Sequence, residues 1–198
     1  GTITLRGGTL GTGVLTPPNS IVLENPATIT GGASGGQHGL KAISGNADLT
    51  LIATNVFDLE GSLANFSGRF LLGGSGSFRL FGSSGSSQAD FDLGSRSLSA
   101  RSGASFSLGS LSGQAGSFLS GASGGGNNTA VTYTIGGNHH DSDFAGAITN
   151  GNNTCSIIKT GNGRLVLNGA STHTGSTQIQ SGSLVVNGSL ANTAVTVS

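Results

Sequence analysis

The chain has no tryptophan and no methionine, one cysteine, three prolines, and eight acidic residues against eight basic ones in 198. Each scarcity closes off a class of protein. A lone Cys155 cannot form an internal disulfide framework. Its place two positions before Ile157 in an alternating run reads as a small apolar core residue and not as a nucleophile. Arg6, Lys41, Arg69, Arg79, Arg96, Arg101, Lys159 and Arg164 are scattered along the chain, whereas nucleic-acid binding and polybasic membrane anchoring both depend on clustered cations. No apolar run approaches the roughly 20 residues needed to span a bilayer, so no transmembrane segment is expected in this chain. The start GTITLRGG lacks the charged and apolar regions of a signal peptide. The chain therefore reads as a mature slice of a longer protein whose targeting segments lie elsewhere. A single tyrosine, Tyr133, leaves little for the aromatic platform of a dedicated carbohydrate-binding module.

What is abundant is glycine, at 37 residues. So much glycine weakens ordinary strands unless tight corners recur and require it. Collagen would need glycine at every third position and far more proline. A flexible linker fails because apolar residues gather in runs such as LTLIA, RFLLGG, GRLVLNG and SLVVNG. No segment repeats apolar residues at i, i+3, i+4 and i+7, so little helix is expected.

The clearest organisation lies in residues 156–198, where short alternating strands recur at roughly 18 to 22 residues, the period of a solenoid coil. One coil cannot bury its own apolar edge and becomes stable only between neighbours. Earlier segments fit the same plan. Ile3 and Leu5 alternate with polar residues, Pro17, Pro18 and Pro26 mark corners around strands at 20–23 and 27–30, and residues 31–44 read as a longer excursion before a strand at 47–53. Phe57 and Leu59 should point inward, with Asp58 and Glu60 on the solvated side. Phe66, Phe70, Leu72, Phe78, Leu80, Phe91, Leu93, Leu98, Phe106, Leu108, Leu111, Phe118 and Leu119 supply a narrow continuous core. The glycine-rich 121–128 reads as a loop bulging from one coil and not as a domain boundary.

Residues 144–186 carry Phe144, Gly146 and Ile148; then Lys159, Thr160, Gly161, Gly163, Leu165, Leu167 and Gly169; then Thr174, Gly175 and Thr177; then Gly182, Leu184 and Val186. This pattern resembles the autotransporter-associated β-strand repeat of bacterial passenger domains. It departs from that pattern at His173, where the repeat usually places a tyrosine before Thr-Gly. The resemblance implies an all-β, right-handed parallel β-helix with three-sided coils of about 20 residues, continuous over 1–198, secreted or carried on the outer surface of a bacterium. It implies a rod, fibre or adhesin whose partners are glycans, other surface proteins or further copies stacked end to end. It brings no catalytic residues and no cofactor.

Three polar constellations invite chemistry. His139 and His140, within 138–143, point to opposite sides if on a strand and lack a third nitrogen or sulfur ligand, so a solvated loop is the expectation. Asp58 with Glu60, and Asp90 with Asp92, each place two carboxylates on one strand face, as Ca²⁺ sites and glycosidase pairs do. A polysaccharide lyase of this architecture is the enzymatic alternative. It requires Lys41, Arg69, Arg79 or Arg101 to fall beside those carboxylates. The Gly-rich turns at 161–163 and 73–76 open no helix and carry no phosphate-site signal.

Overall fold

A computed structural model describes residues 1–13, 19–31, 38–82, 85–124, 128–191 and 193–198. Among these there are 24 strands and no helix, and every strand pairing is parallel. The expected corners at Pro17 and Pro18, residues 32–37 of the expected excursion and 125–127 of the glycine-rich loop lie outside the described residues. The later part of that excursion is not a loop, because it supplies the strands His38–Leu40 and Ile43–Gly45. Pro26 does separate two strands, Ser20–Asn25 and Ala27–Gly31. Its missing N–H costs no ladder bond there.

The chain climbs as a three-sided β-solenoid. The first face begins with Thr2–Arg6, Ser20–Asn25 and Ile43–Gly45, and passes through a bridge from Gly45 to Phe66. From there Ser86 donates its hydroxyl to the Phe66 carbonyl and pairs with Leu108. The face then continues through Val131–Ile135, Cys155–Lys159, Thr177–Ile179 and Val195–Val197. The second face stacks Thr9–Gly13, Ala27–Gly31, Leu49–Ala53, Arg69–Gly74 and Asp90 to Asp92 beneath Ser110 to Ser112. A bridge from Gly113 to Phe144 carries it on to Ser142–Phe144, Arg164–Leu167 and Ser183–Val186. The third face runs from His38–Leu40 through Val56–Leu59, Ser77–Phe81, Ser97–Ser102, Phe118–Ala122 and Ala147–Thr149. It ends on Ala170–Ser171 and Ser189–Leu190.

Two long strands, Ser86–Asp92 and Ser105–Ser112, bend around the corner between the first and second faces. The first half of Ser105–Ser112 pairs upward with Val131–Ile135 and the second half pairs downward with Ser86–Asp92. The single ten-stranded hydrogen-bonded sheet therefore changes face midway. Coil length is less regular than the expected 20 residues. Stacked side-chain partners are 18 apart at Arg6 and Glu24, 21 at Arg79 and Asp58, and 29 at Ser120 and Thr149.

Alternation along each strand turns one column of residues inward, and parallel register places like on like. Leu49, Phe70, Phe91 and Leu111 form one such column, and Phe57, Phe78, Leu98, Leu119 and Ile148 another. The rings meet at centroid distances of 4.4 Å for Phe66 with Phe70, 5.1 Å for Phe70 with Phe91 and 6.0 Å for Phe57 with Phe78. These are the separations at which tilted aromatic pairs attract. Two sequence expectations fail. Phe118 faces outward and is 41% exposed, because Leu119 takes the inward position above Leu98. Asp58 is buried and not solvated.

Candidate functional site

Ionisable side chains on the outside mostly pair between coils. Arg6 meets Glu24 at 2.6 Å, Lys41 meets Glu60 at 2.7 Å, Arg69 meets Asp48 at 2.9 Å and Arg79 meets Asp58 at 2.6 Å. Each pair joins successive coils, so each resists slippage of one rung over the next. The Arg79–Asp58 pair differs from the others in depth. Both side chains are almost wholly buried, and Nε and Nη2 of Arg79 donate to the two carboxylate oxygens at 2.6 and 2.8 Å. In the alternation these residues point away from the lumen. They are covered from outside, where Ser99 and Ser123 share a hydrogen bond of 2.7 Å and Gly124 lies against the guanidinium groups of Arg79 and Arg101. Asp58 thus serves an ion pair and not an open carboxylate pair with Glu60. Of the cations a lyase would need, Lys41, Arg69 and Arg79 each hold a carboxylate one coil away.

A groove of about 470 Å³ on the second face gathers ionisable side chains, lined by Arg69, Asp90, Ser110, His140, Asp141 and Asp143 among others. Asp90 and Asp92 point outward together but do different work. Asp92 accepts the backbone N–H of Gly94 and closes its own turn. Asp90 Oδ1 accepts Ser110 Oγ at 2.5 Å and Asn138 Nδ2 at 2.6 Å, and lies 3.1 Å from His140 Nδ1. Burial pushes this carboxyl up, yet hydrogen bonds from Ser110, His140 and Asn138, with the charge of His140, outweigh it and hold Asp90 below the ordinary value.

His139 and His140 do lie in a loop, as expected, with His139 at a φ of 65°. Their ring nitrogens are turned to structure. His139 Nδ1 accepts the backbone N–H of Asn162, His140 Nδ1 meets Asp90, and Asp141 accepts the backbone N–H of Arg164. Among the described residues no three His, Cys, Asp or Glu side chains converge in a metal-holding group.

The repeat-motif residues occupy three stacked coils. Phe144, Ile148, Leu165 and Leu167 are core, while Leu184 is partly buried and Val186 is 39% exposed. Gly161 and Gly182 stack at φ of 68° each, and a β-carbon on Gly161 would collide with the carbonyl of Gly136 below. Gly146, Gly163, Gly169 and Gly175 likewise abut the backbone of the preceding coil. Thr174 exchanges hydrogen bonds with Asn150 one coil down.

Lys159 stands in an inward column between Ile135 and Ile179, and its ammonium reaches the corner instead of the lumen. There it donates to the carbonyls of Thr160, Gly161 and Ser181 at 2.5, 2.9 and 3.3 Å, tying one corner to the next. Burial lowers its pKa against the opposing charge of Asp141.

His173 is fully buried, with Nε2 at 2.9 Å from Thr177 Oγ1, which meets Thr193 Oγ1 at 3.1 Å. Thr193 in turn donates to the Gly175 carbonyl. If Nε2–H donates, every hydroxyl in the relay has an acceptor, and the unpartnered Nδ1 is a lone pair and not a stranded N–H. Desolvation lowers the pKa of this ring, an interaction with the Ile148 backbone acting the other way. Cys155 is buried as expected, and burial pushes its thiol up to about 12.

The pairs missed at the sequence level carry a usable signal. Opposite charges recur one coil apart, at 18, 19 and 21 residues. The capping by Lys159 and the His173 relay leave no such trace, since their partners are backbone carbonyls and threonines common throughout the chain.

Architecture and surface together define a parallel β-solenoid held coil to coil by hydrogen-bond ladders, stacked apolar columns and ion pairs. Residues 157–186 match the family model described as passenger-associated-transport-repeat, the same stretch in which the sequence resemblance is densest. No curated protein and no solved structure matches the chain. The repeat and the solenoid fit a β-helix of the kind found in bacterial autotransporter passengers.

Proposed function

We propose that this chain is a non-enzymatic structural or adhesive segment of a bacterial secreted or surface protein, working as a stiff rod that makes weak, repeated contacts with glycans or other surface proteins. One observation carries the reading: buried stacking and inter-coil pairing absorb most of the ionisable chemistry. Arg79 with Asp58, Arg69 with Asp48, Lys41 with Glu60, and Lys159 with three carbonyls all spend their polar groups on holding neighbouring coils together. Contacts along such a rod gain strength by number, because a second attachment occurs at high effective concentration once the first has formed. Adhesion of the purified chain to glycan-coated surfaces tests this, measured once as single copies and once as dense arrays on beads. The expected result is retention of arrays under flow where single copies wash away. Equal failure of both on every glycan and on intact cells overturns it.

A further inference from the structure

The third face carries a second groove, in which several serine hydroxyls and one guanidinium are not spent on the fold. It follows the corner between the second and third faces over three successive coils, through residues 54–56, 75–77 and 95–97. Among the described residues no carboxylate lines it. Its one cation, Arg96, rests Nε and Nη2 on the neighbouring Ser95 hydroxyl at 3.2 and 2.5 Å and forms no ion pair among the described residues. The hydroxyls of Ser75, Ser77 and Ser97 have no hydrogen-bond partner among the described residues. The outward column then rises from Val56 and Ser77 to Ser97, and directly above Ser97 stands Phe118. That ring is 41% exposed, whereas Phe57, Phe66, Phe70, Phe78, Phe91 and Phe144 are all buried.

Unspent hydroxyls, an uncompensated guanidinium and an exposed aromatic face fall on one strip parallel to the solenoid axis. Each answers a different part of one ligand. Hydroxyls exchange hydrogen bonds with sugar hydroxyls, a guanidinium pairs with a carboxylate through two parallel N–H bonds, and an aromatic face packs on the C–H face of a pyranose ring. Coil spacing of about 4.8 Å is close to the advance of one hexose unit along an extended chain. A polymer lying along the axis therefore meets a new rung with each sugar.

We propose that the Arg96–Phe118 strip is a binding site for acidic glycan, a uronate-bearing polysaccharide whose carboxylate pairs with Arg96 and whose neighbouring ring stacks on Phe118. This rests on the adhesive reading above and names its partner. The acidic groove around Asp90 is the wrong charge for this ligand, and its central carboxylate is already held by Ser110, Asn138 and His140.

The test is titration of the intact chain with an oligogalacturonate hexamer, read by chemical-shift changes of backbone amides at ligand concentrations up to about 10 mM, the range of weak single-site binding. Maltohexaose and sodium sulfate serve as separate arms. Binding should weaken with added salt and map to residues 75–77, 95–97 and 118. Arg96→Gln should lower affinity roughly tenfold through loss of a charge-assisted pair, and Phe118→Ala about fivefold through loss of stacking. Arg164→Gln, an exposed arginine elsewhere, should leave it unchanged. The proposal falls if the hexamer does not bind, if neither variant weakens it, if maltohexaose binds as well, or if sulfate alone reproduces the shifts. Arrays that still adhere to glycan surfaces while the hexamer fails to bind would remove this site and leave the adhesive reading standing.

Discussion

Breaking the buried Arg79–Asp58 pair should be among the costliest polar changes in the molecule. Arg79→Ala leaves the Asp58 carboxylate, 1% exposed in the intact pair, without the Nε and Nη2 donors that hold it. Removing one partner of a buried pair costs about 3–5 kcal/mol, because the surviving charge stays desolvated. The comparison is Arg69→Ala, which removes a pair of similar sequence spacing whose side chains are 46% and 41% exposed. That change should cost under about 1 kcal/mol, since water and salt replace the lost partner. Replacing both members, Asp58→Leu with Arg79→Leu, should recover most of the loss, because no uncompensated charge remains. Urea unfolding followed by far-ultraviolet circular dichroism reads all three on one scale. The reasoning is refuted if Arg79→Ala costs no more than Arg69→Ala, or if the double replacement is as damaging as the single one.

Three further outcomes follow from burial and facing. Phe70→Ala, in the column between Leu49 and Phe91, should lose about 3–5 kcal/mol, whereas Phe118→Ala should change stability by no more than about 0.5 kcal/mol; equal losses in urea midpoints would contradict the outward placement of Phe118. The ring of His173 has its pKa lowered in the folded state, so as pH falls below about 6.5 the unfolded chain takes up this proton first and stability declines. His173→Tyr should flatten the difference between urea midpoints at about pH 7.5 and about pH 5.5, and an unchanged difference would show that the ring is not the acid-sensitive element. Cys155, with its thiol pushed up to about 12 and buried, should resist an aromatic disulfide reagent in native buffer and react at once in urea; prompt native labelling would place it at the surface.

Much of the fold was legible because a solenoid repeats its physics. Alternation marked Phe57, Phe70, Phe91 and Leu98 as inward, and the motif glycines marked corners where backbone meets backbone. Phe118 was misread for a local reason. In the run Ser117, Phe118, Leu119, Ser120 two apolar residues are adjacent, and either can be the inward one. The choice falls to register, since Leu98 below and Ile148 above both stack on Leu119. Asp58 was misread because alternation tells which way a side chain points but not what lies over it. Its cover comes from residues 123 and 124, far away in sequence.

By itself the sequence determined that the chain is all-β, that it coils, and that residues 157–186 carry a passenger-type repeat, since period, glycine placement and apolar alternation are properties of neighbours along the chain. Only the tertiary structure decided which charges meet, which carboxylate is buried, and that Arg96, three serines and Phe118 share one open strip. Those facts depend on the length of each intervening coil, which varies from 18 residues between Arg6 and Glu24 to 31 between Gly113 and Phe144. A change of one residue in that length carries a side chain to the opposite side of its strand.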